Sequence, residues 1–554
     1  MDRIKCDHFS AENGLMVIIP HEDDEINLAG ALIFDACRKK IPVKCVFLTN
    51  GDAEYPAFIR IHEAVKALKT LGVKEENIYF LGYPDGGRHG ERSPFLHNAS
   101  EIRKAGGHAY TYGCRHFKEF AALETGAGHP CNWDNLLEDL QNIILKYKPS
   151  VIVGTDFDYH PDHRMCYLAL MEAMNRILHR VQDYYPDVLM GYCYTTGFDS
   201  VPDFYGKHLL STVVNKNTQR NTDFETENPT YEWDKRIRLP IPAECRNLLM
   251  KNVLFKSLCC HLSQKASRRA VRLINGDEVF WQRRTNNLAI NGHITVSSGN
   301  AKYLTDFHMM NTKDIVSEKT EFRDYLWVPD KGDSQGWCRC DFETPRHVES
   351  VVLYGNIEND SRITKGKLSF STGYSCQVEA LEKQGHETLI HFPPQDNVTW
   401  VKFEILDKIG PHAGIAEWEI LPCFKSSFSI LQILVNEQFA YDWYVYPDEQ
   451  VRISEYAYGL EGGVTWFLNG KPMSLAEIQE IAQKTKQKIK IRVESKVNPS
   501  IWCESYIIPA GCAYRLNHFI CQLMDRIGVW WENQKEKRPH HLLRKIKNED
   551  DYRI

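Results

Sequence analysis

Through the first 180 residues, strand-like runs alternate with stretches of helical spacing, and this alternation restricts the N-terminal third of the chain to a parallel sheet wrapped by helices. Residues 14–20 (Gly-Leu-Met-Val-Ile-Ile-Pro) form a continuous apolar run, as a strand buried on both faces requires. Helical spacing follows over 26–39, a second strand over 43–49, a second helix over 57–71 ended by Gly72, and a third strand over 78–81. Beyond a break, residues 133–148 read as helix, 150–154 as a buried strand, and 161–181 as a helix opening at a proline. The break, residues 84–131, is rich in Gly, His, Arg and Tyr and reads as a long loop over a site. Arg88, His89, Arg92, His97, His108, Tyr110, Tyr112 and His116 are its candidate substrate-facing side chains.

The texture changes near residue 290, where β-branched and aromatic residues alternate over 348–354, 367–370 and 400–405. The chain is therefore divided into an α/β domain at 1–290, a β-sandwich at 291–425, a smaller β-sandwich of immunoglobulin-like type at 426–512, and an amphipathic helix with a basic tail at 513–554. At 554 residues it is too long for a single core. Hydrophobic residues make up 43% and charged residues 25%, which excludes a largely disordered chain. A net charge of −6 leaves no overall footprint for nucleic acid. No apolar run is long enough for a membrane span, the first residues are charged, and the 17 scattered cysteines read as reduced, buried thiols, so the chain reads as cytosolic.

Two clusters carry the chemistry. Pro-His-Glu-Asp-Asp-Glu at 20–25 follows the first strand, and His-Pro-Asp-His at 160–163 follows a later one. In an open α/β sheet, ligands sit beyond the carboxyl ends of the strands, where both clusters fall. A single His-x-x-Asp at a helix start is most often a cap. Two dense His/Asp clusters at strand ends are not explained that way. His21, Asp24 and His163 supply a two-imidazole, one-carboxylate ligand set for Zn²⁺, with Fe²⁺ or Co²⁺ suiting the same donors. Asp23 is the candidate general base, His160 the candidate partner of an oxyanion or a leaving amine, and Asp162 the residue expected to orient His160.

The 20–25 motif resembles the first signature of the PIG-L/LmbE-like zinc-dependent de-N-acetylases, and 160–163 resembles the second. Leu48-Thr-Asn-Gly-Asp52, Arg60-Ile-His-Glu63, Leu71-Gly72 and Pro84-Asp-Gly86 support the resemblance, which covers roughly residues 10–290. It implies a Rossmann-like, mostly parallel sheet with helices on both faces and the same metal ligands, base and partner pair. It further implies Arg60 and Asp85 as contacts to sugar hydroxyls. The implied reaction is hydrolysis of the N-acetyl group from an acetamido sugar of GlcNAc type, in a glycan or glycoconjugate that is lipid-linked or polymeric. Glu22 stands where that family usually has proline, and a glutamate there is expected to add negative charge beside the metal and raise the pKa of its water. A catalytically inactive glycan-binding protein and an amidohydrolase acting on a non-sugar acetamide are the alternative readings.

Residues 296–421 resemble a discoidin or galactose-binding-like sandwich, in which Trp327 or Tyr325 either stacks on a pyranose ring or fills the core. The closing helix has apolar positions Leu516, Phe519, Ile520, Leu523, Met524, Ile527, Trp530 and Trp531, with basic residues beyond it. Such a helix suits packing against a domain or protomer, the reading adopted here. Peripheral contact at the inner membrane surface is the alternative.

Overall fold

The computed structural model describes residues 4–5, 13–86, 100, 102, 107–156, 160–193, 209–212, 231–309, 325–423, 429–447, 449–543 and 545–552. In the N-terminal domain, β1 (Leu15–Ile19), β2 (Val43–Thr49), β3 (Ile78–Tyr83), β4 (Val151–Thr155), β5 (Asp187–Gly191), β6 (Ile237–Pro240) and β7 (Asp277–Arg283) form one sheet in the order β3-β2-β1-β4-β5-β7-β6. The first five strands of that order are parallel, and β7 and β6 close the edge antiparallel. Because successive side chains point to opposite faces, Leu15, Val17 and Ile19 join one core with α1 (Asp24–Arg38) and α2 (Ala57–Thr70). Met16 and Ile18 join another with α3 (Trp133–Tyr147) and α4 (Pro161–Arg180). The sheet thus carries helices on both faces, which accounts for strands without a polar side.

The second domain is a six-stranded antiparallel assembly among the described residues. It is built on two long strands, β8 (Trp337–Gly355) and β9 (Glu387–Ile409), whose pairing shifts register between Asp341 and Ser350. Such bulges bend a sheet over itself. The core they enclose includes Trp327, Trp418, Phe403 and Val351. Trp327 is fully buried there and donates its indole N–H to the Ser298 carbonyl at 2.8 Å, so it is a core residue and not a platform for a sugar ring.

The third region departs from an immunoglobulin-like sandwich. It contains a ten-residue helix, α5 (Leu475–Lys484), started by a capping box in which the Ser474 hydroxyl accepts the Glu477 N–H and the Glu477 carboxylate accepts the Ser474 N–H. Its sheet includes a parallel pair, β10 (Asp442–Val445) with β11 (Trp502–Pro509), and takes in the two-residue strand Ile4–Lys5, which lies against Trp502 and Cys503.

Arg284, just past β7, joins the first two domains. Its guanidinium donates to Glu419 at 2.9 Å, to Glu387 at 2.5 Å and to the Tyr354 hydroxyl at 3.1 Å. Arg284 therefore serves a domain junction.

The closing helix, α6 (Cys512–Leu543), also differs from expectation. It touches the first domain through Asp525, whose carboxylate accepts the Leu249 and Met250 N–H groups at 2.7 and 2.9 Å, and through Val529, while its apolar stripe faces outward.

Candidate functional site

The strand order reverses between β1 and β4, so the segments leaving their carboxyl ends diverge and open a crevice. The 20–25 segment leaves β1 and enters α1, and residues 160–163 open α4. The fold thereby brings together groups 142 positions apart in sequence.

His21 Nδ1, His163 Nε2 and Asp24 Oδ2 form a triangle with sides of 3.1, 3.1 and 3.0 Å. All three side chains are buried. The other nitrogen of His21 faces Asp162 Oδ2 at 3.3 Å and Asp85 Oδ2 at 3.9 Å. An Nε2–H donated to Asp162 leaves Nδ1 with its lone pair aimed at the triangle, the tautomer a metal ligand needs. Burial disfavours charge on His21, yet Asp162, Asp24 and Asp85 outweigh it and hold its pKa well above the ordinary imidazole value. Asp24 is likewise held well below the carboxylate range by His163 and His21 despite its burial. A buried triangle of lone pairs that stabilises positive charge fits a borderline divalent cation bound by two imidazoles and one carboxylate. Cys193, 30 positions after His163 and in no recognisable motif, lies within reach of Asp24 and His163.

Asp162 plays a different part from the one expected. Its carboxylate faces His21 and accepts the Gly86 N–H at 3.0 Å, while its backbone N–H donates to His160 Nδ1 at 3.2 Å. The reason is positional: at the second residue of α4, the side chain reaches the end of β1, and only the backbone amide is left for the capping residue His160. That hydrogen bond assigns the His160 proton to Nε2. The His160 ring stands edge-on to His21 with centroids 4.7 Å apart.

Asp23 has φ of 116° at the start of α1, and its carboxylate sits between two guanidiniums. Arg60 reaches Oδ1 at 3.0 Å and Arg269 reaches Oδ2. Arg60 also donates to the Gly51 and Glu22 carbonyls and is buried. It braces the β1 turn instead of reaching toward sugar hydroxyls. Gly51 has φ of +52°, and a Cβ there would come within 2.8 Å of Arg60 and Glu22, so this crossing of β2 requires glycine. Glu22 is fully buried, and among the described residues neither of its side-chain oxygens has a hydrogen-bond partner. Burial pushes its pKa up to about 8 against the pull of Arg60, so at neutral pH it is mostly uncharged. The expected extra negative charge beside the site is absent, because the side chain turns into the protein.

Asp85 faces His21, and its backbone N–H donates to Asp52 at 2.7 Å. Its pKa is pushed up to about 6, first by burial and then by Asp162. Asp52 also accepts the Tyr112 hydroxyl, and Tyr112 stacks on His108 at 3.8 Å. Asp52, His108 and Tyr112, with Tyr55, Phe58 and Glu549, line a cleft of about 640 Å³. Tyr110 is exposed, and His116 packs edge-on against His62. Arg88, His89, Arg92 and His97 lie outside the described residues.

Sequence reasoning missed Arg269 and His261. His261 Nε2 lies 2.6 Å from Glu25, whose other oxygen accepts the Asp23 N–H. The available signal was charge: four consecutive acids at 22–25, all buried, demand cationic partners from elsewhere in the chain. Nothing local identifies which.

Residues 16–174 match the family PIG-L, GlcNAc-PI de-N-acetylase, a span that contains both clusters. Residues 16–174 are a PIG-L domain. Residues 287–421 match a domain of unknown function, DUF7402. Among solved structures, the PIG-L domain is similar to N,N'-diacetylchitobiose deacetylase from Pyrococcus horikoshii complexed with its inhibitor MPG, at 19% identity and a TM-score of 0.24. That match covers 34% of this chain and 62% of the deacetylase, less than two thirds of its length. The sandwich is similar to a family 32 CBM from C. perfringens in complex with galactose, at 16% identity over 23% of this chain and 92% of that one, with a TM-score of 0.18. It is also similar to chitosan-binding module 1 of a Paenibacillus sp. IK-5 chitosanase/glucanase, at 18% identity over 24% and 97%, with a TM-score of 0.18. No curated protein matches the chain.

Proposed function

We propose that the chain is a metal-dependent carbohydrate de-N-acetylase that hydrolyses the N-acetyl group of an acetamido sugar of GlcNAc type, in a lipid-linked or polymeric glycoconjugate. The observation that carries this reading is the 3.0–3.1 Å triangle of His21, Asp24 and His163 donors inside a PIG-L domain. His21, Asp24 and His163 would hold a divalent cation such as Zn²⁺, which would supply Lewis acidity and acidify water at the site.

The chain's own residues do the rest. Asp162 holds His21 in the ligating tautomer. Asp23, kept in one orientation by Arg60 and Arg269, retains a lone pair on each oxygen and accepts the proton of the attacking water. His160 Nε2–H donates to the oxygen that gains charge as the carbonyl becomes tetrahedral, and the proton taken up by Asp23 passes to the departing amine. Asp85 and the cleft lined by Tyr55, His108 and Tyr112 receive the sugar.

The deciding experiment is an acetate-release screen over acetamido-sugar conjugates, with and without chelator. Release that stops with chelator and returns with Zn²⁺ is expected, and Asp23→Ala is expected to lower the rate about 10²–10⁴-fold while keeping the metal. Unchanged release in Asp23→Ala rejects the assignment of the base. Release that is indifferent to chelator rejects the metal.

A further inference from the structure

We propose that α6 is a docking surface for an anionic lipid bilayer, on which it lies with its apolar stripe in the interface. The inference stands on the geometry of this helix and does not depend on the reaction assigned to the PIG-L domain.

An amphipathic helix in a folded protein ordinarily turns its apolar face to the core. This one is mounted the other way round. The buried carboxylate of Asp525 receives two backbone N–H groups, and Gly528 comes close to Met250, so the narrow side carrying Asp525 and Val529 is pinned to the first domain. That anchor fixes the rotation of the helix about its axis. On the outward side, Leu516, Phe519, Ile520, Leu523, Met524, Ile527, Trp530 and Trp531 are each about half exposed or more, from 48% to 63%. At a rise of about 1.5 Å per residue the stripe is roughly 22 Å long. Its width exceeds a coiled-coil seam, because Phe519, Met524 and Trp531 flank the 516, 520, 523, 527, 530 line.

Charge decides between a second copy and a lipid surface. Residues 512–543 hold five basic and three acidic residues, and Arg544, Lys545 and Lys547 follow before the acidic Glu549, Asp550 and Asp551. One of those acids, Asp525, is buried in the anchor, whereas Arg515, Arg526 and Lys535 are exposed. Two like-charged helices repel, and an anionic headgroup layer attracts each of them. Adjacent tryptophans suit the boundary between headgroups and acyl chains. Among the described residues no helix is long and apolar enough to cross a membrane, so α6 lies on the surface. Beyond the helix the chain returns to the first domain: Glu549 reaches His62 and the Arg115 N–H, and it lines the cleft.

The test is flotation of the full chain with vesicles of phosphatidylcholine alone and of phosphatidylcholine containing phosphatidylserine. The wild type is expected to float with the anionic vesicles, less with the neutral ones, and less again as salt is raised. Ile527→Glu with Trp530→Glu is expected to lower the bound fraction about tenfold or more. These side chains face solvent, so thermal melting of the variant is expected to match the wild type. Should it melt early, quenching of the wild type by brominated lipid, lost in Trp530→Phe with Trp531→Phe, carries the same test. The proposal is overturned if the wild type stays unbound with anionic vesicles, if the glutamate variant floats equally well, or if brominated lipid fails to quench. Light scattering that finds a dimer turned to monomer by the glutamate variant also overturns it, by assigning the stripe to a second copy.

Discussion

The residue whose placement changes the chemistry most is Asp162. Spacing made it the partner of His160, because the two are adjacent but one. The structure instead aims its carboxylate at His21 and leaves a backbone amide for His160. A carboxylate on the far nitrogen of a ligating histidine fixes ring orientation and raises donor strength. Asp162→Asn is therefore expected to weaken metal affinity about 10–100-fold, read by competition with a chromophoric chelator. Removing the direct ligand in His163→Ala is expected to weaken it further. Equal affinity in Asp162→Asn and wild type would show that His21 keeps its tautomer without help. The meeting of His21, Asp24 and His163 was legible because the first two directly follow a recognisable strand and His163 lies in the first turn of a proline-started helix after another. Arg269 and His261 were not, since their pairing with Asp23 and Glu25 is set only by tertiary folding.

At the scale of elements, α1 shows what periodicity conceals. Its apolar spacing reads as an unbroken helix, yet Ala29 has φ of −153° and ψ of 32°, and the N–H groups of Ala31 and Leu32 donate to the two oxygens of Glu278 on β7. A side chain inserted into the helical ladder is a recognised cause of a kink. Burial pushes the Glu278 pKa up to about 7 from its ordinary 4.5. The folded state thus holds a proton that the unfolded chain releases above pH 4.5, and the contribution of Glu278 to stability falls as pH rises from 4.5 through 7. The difference reaches roughly 3 kcal/mol. Glu278→Gln should therefore gain on the wild type as pH moves from 5 to 8, seen as a flatter Tm profile. Parallel profiles would remove Glu278 as the titrating group. The α5 helix carried a readable signal, Ser474 three residues before Glu477, but ten residues among strands do not establish a period. In α6 the apolar stripe was plain in sequence. Its outward direction was not, because that depends on where Asp525 finds its partners.

Across the whole molecule, the junction of the first two domains rests on charge as well as apolar packing. Arg284 connects the end of β7 to Glu387, Glu419 and Tyr354 of the sandwich, and Glu419 is buried. Arg284→Ala strands that carboxylate without its cation, and a loss of about 3–5 kcal/mol is expected in chemical denaturation. Unaltered stability would mean that apolar contacts alone hold the two domains. The third region is tied in through the tyrosines at 441 and 456, whose hydroxyls accept the Ile241 and Arg238 N–H groups. The strand Ile4–Lys5 finds its partners only at Trp502 and Cys503. During synthesis at about 5–20 residues per second, these two residues leave the ribosome roughly half a minute to two minutes before the segment they pair with. The α/β sheet is free to form in that interval, and the strand Ile4–Lys5 is secured only afterwards.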